Sequence, residues 1–227
     1  MERREPVRGA GVVLAAGASR RMGTPKALLT RRDGRTFVRA SCEALLQAGL
    51  HPVAAVVAPG ATAIGREAAL CGAAAVVNPQ PERGQVSSIA VGLALALESG
   101  CAFALIAPVD QPPVQAALIH QLVLAAGREP EAVHVLTAAG ERGHPAAFPS
   151  GLAAALREAR AGESAREVIA RLGIPVREHE VGDEAVLRDL DTPEDLERFR
   201  VVEARAATAA FGDAPTPIDL ADDGGRS

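Results

Sequence analysis

The chain contains no tryptophan and no tyrosine, and its five phenylalanines leave aromatics at 2% of 227 residues. Proteins that hold single strands or RNA stack bases on aromatic rings, so that class is excluded. Positive charge is not in excess either: 24 Lys and Arg face 28 Asp and Glu, a net charge of −4. With no domain-wide basic surface to track a nucleic-acid backbone, polymeric DNA or RNA is not an expected partner. Cysteine is scarce as well. Cys42, Cys71 and Cys101 lie roughly thirty residues apart without a CxxC pair, which fits neither a disulfide framework nor a zinc site. They read as reduced core thiols of a cytoplasmic protein. The apolar run Val12–Ala16 is far too short for a signal core or a membrane span, so neither export nor a membrane partner is expected. Rarest among the charged residues is lysine: 23 of the basic residues are Arg and one is Lys, at position 26. A compact ammonium on a flexible stem differs from a planar guanidinium where a phosphate must be met by a point charge.

What the chain does have is 48% hydrophobic side chains, enough at this length for one sizeable core in a single domain. These residues arrive in short runs. Residues 10–15, 53–57, 74–77, 102–107 and 132–137 are small and aliphatic, and segments of helical spacing separate them near 37–48, 61–71, 87–98 and 114–126. The alternation predicts an α/β fold built on a doubly wound, mainly parallel sheet. Patterning loosens around Gly140–Pro145. Two short helices are expected near 150–160 and 164–172, followed by strand-like stretches at 175–181 and 185–190. Thr192-Pro-Glu-Asp195 then opens a last helix, with Thr at the N-cap, Pro at the first helical position and an acid two further on. The domain is expected to cover 9–204, with 1–8 a flexible N-terminus and 205–227 a disordered tail poor in anchoring side chains.

Four constellations carry chemistry. Leu14-Ala-Ala-Gly-Ala-Ser-Arg-Arg-Met-Gly-Thr-Pro-Lys26 follows the first strand, where open α/β sheets bind ligands. It matches neither GxGxxG nor GxxxxGK[ST], so the dinucleotide and P-loop readings fail on spacing. A loop of small residues in which Arg20, Arg21 and Lys26 surround an anion fits a polyphosphate; a solvated basic loop would look the same. Asp110 follows the strand 102–107 and is placed to hold a divalent cation through oxygen, or else to close a turn before the prolines. Asp191 is not needed to cap the helix that Thr192 caps, which frees it for a ligand, although Asp189 is an alternative. Asn78 stands before Gly84-Gln-Val-Ser-Ser88, in which Gly84 permits close backbone approach and Ser87 or Ser88 is expected to cap a helix. The five histidines lack ligand spacing and no GxSxG is present, so a histidine metal site and covalent catalysis are not expected.

Taken in order, Leu14-Ala-Ala-Gly-x-Ser-x-Arg21-Met-Gly-x-x-Lys26, Asn78 with Gly84 and Ser88, Asp110-Gln-Pro112, Gly143-x-Pro145 and Asp191-Thr-Pro-Glu-Asp-Leu196 resemble the MobA-like NTP transferases, over about residues 10–200. Ala16 and Gln111 resemble the molybdenum cofactor cytidylyltransferase branch. The resemblance implies a Rossmann-like nucleotidyltransferase fold and transfer of a nucleoside monophosphate, from CTP in the first instance and GTP in the second, to the phosphate of molybdopterin. It implies Mg²⁺ held by Asp110 and Asp191, with Arg21 and Lys26 on the phosphates and Asp110 among the catalytic residues. It implies nucleotide contacts from Leu14, Ala15, Ala16, Gly17, Asn78, Gly84 and Ser88, and an acceptor pocket lined by Gly143, His144 and Pro145. The alternatives are a cytidylyltransferase for a methylerythritol or sugar phosphate, and a chaperone that delivers the cofactor to a molybdenum hydroxylase apo-enzyme without chemistry of its own.

Overall fold

β1 (Gly9–Ala15) sends alternate side chains into two separate cores, Val13 and Ala15 into one and Ala10, Val12 and Leu14 into the other. A strand apolar on both faces needs helices on both, and the chain supplies them. The computed structural model describes residues 8–17, 24–111, 116–190, 192 and 194–200. After β1 come α1 (Phe37–Gln47), β2 (Val53–Val57), α2 (Thr62–Ala69) and β3 (Ala74–Val77). α1 begins where the Thr36 side chain accepts the Arg39 N–H, an N-cap that fixes its start. α3 (Gln85–Glu98) and β4 (Phe103–Pro108) follow, then α4 (Ala116–Arg128), β5 (Val133–Ala138), β6 (Glu141–Pro149), α5 (Ala153–Arg157), α6 (Ala165–Leu172) and β7 (Val176–Glu180).

These strands form one seven-stranded sheet in the order β3-β2-β1-β4-β6-β5-β7. All pairings are parallel except those of β6, which runs against both β4 and β5. Helices α1, α2 and α4 bury Phe37, Leu45, Ile64 and Leu122 in one core, while α3, α5 and α6 bury Leu93, Leu156 and Val168 in the other. The chain is thus a single α/β domain with a mainly parallel, doubly wound sheet. Because β1 has β2 on one side and β4 on the other, strand order reverses between β1 and β4. Such a switch point opens a crevice at the carboxyl ends of the two strands.

Three local expectations are corrected. The loose stretch near Gly140–Pro145 is the start of β6: Ala139 (φ 51°) and Gly140 (φ 78°) form a two-residue hairpin turn, and Ala138 pairs with Glu141. Both residues have the left-handed backbone such a turn needs, but Ala-Gly lacks the Asn-Gly signature that makes one visible in sequence. Residues 185–190 are not a strand. A 3-10 turn, Glu184–Leu187, starts where the Asp183 side chain accepts the Ala185 N–H at 2.9 Å, and local bonding wins over alternation. Neither Ser87 nor Ser88 caps α3; Gly84 occupies that position with φ 85°. The last helix does open as expected, Thr192 and Asp195 exchanging hydrogen bonds at its start. Residues 1–7 and 201–227, which include most of the expected flexible ends, lie outside the described residues.

Candidate active site

The register between β1 and β4 places Leu14 opposite Pro108, and the Val109 N–H donates to the Leu14 carbonyl at 3.1 Å. The backbone beyond β1 and the turn carrying Asp110 therefore leave the sheet side by side. Leu14, Ala15, Ala16 and Gly17 line a cavity of about 280 Å³ at that edge, which Lys26, Gly84, Gln85, Ser88 and Asp110 complete. Lys26 opens a short 3-10 turn and directs its Nζ to 3.3 Å from Asp110 Oδ2. Its side chain is 12% exposed and that of Asp110 37%, so the pair sits at the mouth of the cavity rather than beneath it. An ammonium and a carboxylate facing each other there provide one group for a polyanion and one for a cation.

The opposite wall is the start of α3. A side chain at Gly84 would be strained by its φ of 85°, and nothing fills the space beside it, so the backbone stays open to a ligand. Asn78 stands behind this wall. Its side chain is buried, donating from Nδ2 to Ser87 Oγ at 2.8 Å and Ser88 Oγ at 3.0 Å, while its Oδ1 accepts the Gln80 N–H at 2.9 Å. It holds the loop that presents Gly84 and Ser88 and does not itself line the cavity. Arg83 secures the same loop from outside, donating to the Arg157 and Ala159 carbonyls at the end of α5 at 2.9 Å each.

Beyond Asp110 the cleft continues. Gln111 Nε2 donates to Asp189 Oδ1 at 2.8 Å, and the Leu190 N–H donates to the Asp110 carbonyl at 2.8 Å. These bonds bring Asp189 into a second cavity of about 280 Å³, shared with Asp110, Arg142 and His144. Two carboxylates on one cavity are hard oxygen donors of the kind magnesium takes alongside phosphate oxygens and water. Among the described residues no group of three or more side chains forms a closed metal cage. Arg20, Arg21 and Asp191, expected on the phosphates and the metal, lie outside the described residues.

A third cavity of about 410 Å³ opens past His144, its walls including Ile89, Val135, Ala146, Phe148, Ile169 and Val176. Gly143 and His144, named from sequence, stand at its entrance, while Pro145 is buried in β6 and does not line it. Gly143 is needed for packing: a Cβ there would run into the Val186 carbonyl of the 184–187 turn. His144 has its pKa lowered by burial, against the opposing pull of Asp189 and Asp110, and its buried Nδ1 finds no partner among the described residues. Gln85, Arg142 and the apolar walls were not legible as site residues. Gln85 lies inside the Gly84–Ser88 segment with no motif role of its own, Arg142 is one of many arginines, and the walls are contributed by five elements, α3, β5, β6, α6 and β7.

An ammonium, a carboxylate and an open helix start meet around the switch point of a doubly wound sheet, the place where α/β enzymes hold nucleotides. The chain belongs to the MobA-like NTP transferase domain family, which matches residues 11–178, and it is a nucleotidyltransferase by fold and family. It is 34% identical over 196 residues to the nicotine blue oxidoreductase of Paenarthrobacter nicotinovorans, covering 83% of this chain and 95% of the relative. To the molybdenum cofactor guanylyltransferase of Cereibacter sphaeroides it is 35% identical over 198 residues, covering 83% and 93%. The crystal structure of Rv0371c from Mycobacterium tuberculosis H37Rv superposes with a TM-score of 0.71 at 29% identity, covering 87% of this chain and all of that one. A second structure of that protein, a complex with manganese, gives a TM-score of 0.66 at 27% identity over 86% of this chain and 98% of that one. No helix among the described residues is long and apolar enough to cross a membrane.

Proposed function

We propose that this protein transfers the guanylyl group of GTP to the phosphate of a molybdopterin-type acceptor, with Mg²⁺ and with release of pyrophosphate. An oxygen of the acceptor phosphate attacks the α-phosphorus, and the bond from that phosphorus to the oxygen bridging to the β-phosphate breaks. Pyrophosphate leaves with the electron pair. Such a displacement needs little covalent help; it needs two polyanions held in line and the charge on the leaving group neutralised. The observation that carries the reading is the Lys26–Asp110 pair, 3.3 Å apart where the nucleotide cavity meets the neck toward the acceptor chamber. Lys26 meets the β- and γ-phosphates and follows the departing pyrophosphate. Asp110, with Asp189 or Asp191, would hold the magnesium, which when bound neutralises phosphate oxygens at the reacting centre. Leu14–Gly17, Gly84 and Ser88 enclose the nucleoside with backbone and small side chains, in keeping with the lack of aromatics.

The nucleotide is where the sequence expectation gives way. Ala16 and Gln111 favoured CTP, whereas the guanylyltransferase relatives, aligned over nearly their whole length, favour GTP, and GTP is the donor in this reading. The chamber's walls of Val, Ile, Ala and Phe suit the flat faces of a heteroaromatic acceptor better than a methylerythritol or sugar phosphate, with Gln85, Arg142, His144, Ser164 and Arg166 left for its polar edges. A chaperone that only binds cofactor would have no use for an ammonium on the leaving group. The three free cysteines suit a reaction in the cytoplasm. The test is mass analysis of the product formed by purified protein with Mg²⁺ and molybdopterin and, separately, GTP, CTP, ATP and UTP. The expected product is the guanine dinucleotide with one pyrophosphate; a cytosine dinucleotide would reverse the choice of base, and no dinucleotide from any of them would overturn the transfer.

A further inference from the structure

The neck between the nucleotide cavity and the apolar chamber is lined by Gln85, Asp110, Gln111, Arg142, His144 and Asp189. Gln85, Arg142 and His144 also line the chamber, and Gln85 reaches into the nucleotide cavity as well, so all three stand where an acceptor's attacking group has to lie. That group has an electrostatic difficulty. A phosphate monoester is close to a dianion at neutral pH, and the neck already carries the carboxylates of Asp110 and Asp189. Among the described residues lining the neck, Arg142 is the only cation. Its guanidinium is paired with Glu178 of β7, with Nε at 2.7 Å and Nη2 at 2.6 Å from Oε1, which fixes the fork at the chamber rim and leaves its Nη1 end for a ligand. Planar forks of this kind match phosphate oxygens.

His144 lies two residues along β6 from Arg142, in the stretch where the β5–β6 register shifts, and both side chains line the neck and the chamber. Its Nδ1 is enclosed and has no hydrogen-bond partner among the described residues, a condition that a bound ligand relieves. Burial holds its pKa below the ordinary value against the pull of Asp189 and Asp110, and the ring offers a donor to a phosphate oxygen. The Gln85 amide, at the first position of α3, supplies a further neutral donor.

We propose that Gln85, Arg142 and His144 form a phosphate-monoester subsite that receives the acceptor's phosphate and holds it beside Asp110. The inference rests on the transfer reading for its acceptor but makes its own demand: the subsite binds phosphate whether or not transfer follows. Arg142 supplies the charge, and His144 and Gln85 set the orientation.

Inorganic phosphate is the probe, titrated into labelled protein saturated with Mg²⁺ and a GTP analogue carrying a methylene between the α- and β-phosphates. The imidazole resonances of His144 are identified by their loss in His144→Gln. They are expected to shift saturably, and Arg142→Gln to weaken phosphate binding about tenfold or more, with Arg142→Lys recovering part and the affinity for the analogue unchanged. With molybdopterin as acceptor, His144→Gln is expected to raise its KM and leave that of GTP alone. His144 resonances that stay fixed throughout the titration, or Arg142→Gln binding phosphate as the wild type does, would overturn the subsite. A saturable shift together with no dinucleotide product would leave the subsite standing and sink the transfer reading.

Discussion

The two ends of the cleft are built by different means. On the β1–β4 side the strands are parallel, the turns carry Gly17, Gly84 and Asp110, and the ligand-facing groups are backbone, one ammonium and one carboxylate. On the β5–β7 side β6 runs against its neighbours, and the larger chamber is walled by side chains of β5, β6, β7, α3 and α6. In the proposed reaction the first end would handle charge, for which groups at strand ends suffice, and the second would select by shape, which takes a core-like surface. A scaffold divided in this way can keep its nucleotide chemistry while its acceptor end is repacked, and the relatives bear names as different as a guanylyltransferase and an oxidoreductase.

The largest expected effect falls on the charged end. Asp110→Asn should lower metal-dependent pyrophosphate release by about a hundredfold to a thousandfold with little change in melting temperature, since the carboxylate is at the mouth of the cavity. Steady-state kinetics beside a thermal melt checks both halves. Lys26→Arg keeps the charge and should still reduce kcat by about tenfold, because a planar fork replaces a point charge on the leaving group. Unchanged kcat and KM would make the lone lysine incidental.

At the chamber end a change that spares the core should affect the acceptor alone. Ala170 lines the chamber from the exposed side of α6, so Ala170→Phe fills space without disturbing the core. A rise in acceptor KM of about tenfold with an unaltered KM for GTP is expected; equal changes in both would erase the division. Gly143→Ala forces β6 away from the Val186 carbonyl and should destabilise the fold by about 1–3 kcal/mol, read by denaturant titration.

The smallest effect is on pH dependence. His144 and His179 both have pKa values held below the ordinary 6.5, each by burial first, with the neighbouring His134 adding to the effect at His179. A depressed histidine pKa means the unfolded chain binds the proton more readily. Their contribution is therefore complete above about pH 6.5 and is lost as the pH falls through the depressed values. Denaturant midpoints in His144→Gln and His179→Gln should fall less steeply than the wild type over that range.

Legibility in the sequence followed the same division. Strands β1, β2 and β4 announced themselves by runs such as Val53–Val57, because a strand buried on both faces is apolar throughout, while β3 showed the same aliphatic run at the exposed edge of the sheet. Leu14–Gly17, Lys26 and Asp110 were readable because they cluster at strand ends, and the structure brings them to one cavity. Asn78 lies beside the cavity but buried behind its wall, a placement the sequence does not reveal, since a buried amide bracing a loop and an exposed one touching a ligand leave the same letter. The chamber end was hidden. Its hairpin turns on Ala139-Gly140, its capping 3-10 turn is fixed by one Asp183 bond, and its walls come together only when α6 and β7 fold back over β5 and β6.

The most direct measurement is a crystal structure of the protein with the α,β-methylene GTP analogue, Mn²⁺ and inorganic phosphate, with the metal located by its anomalous signal. The account predicts the nucleoside between Leu14–Gly17 and Gly84–Ser88, metal density on Asp110, and phosphate at Arg142 and His144 facing the α-phosphorus. A nucleotide lodged in the apolar chamber, or metal density away from Asp110, would contradict it.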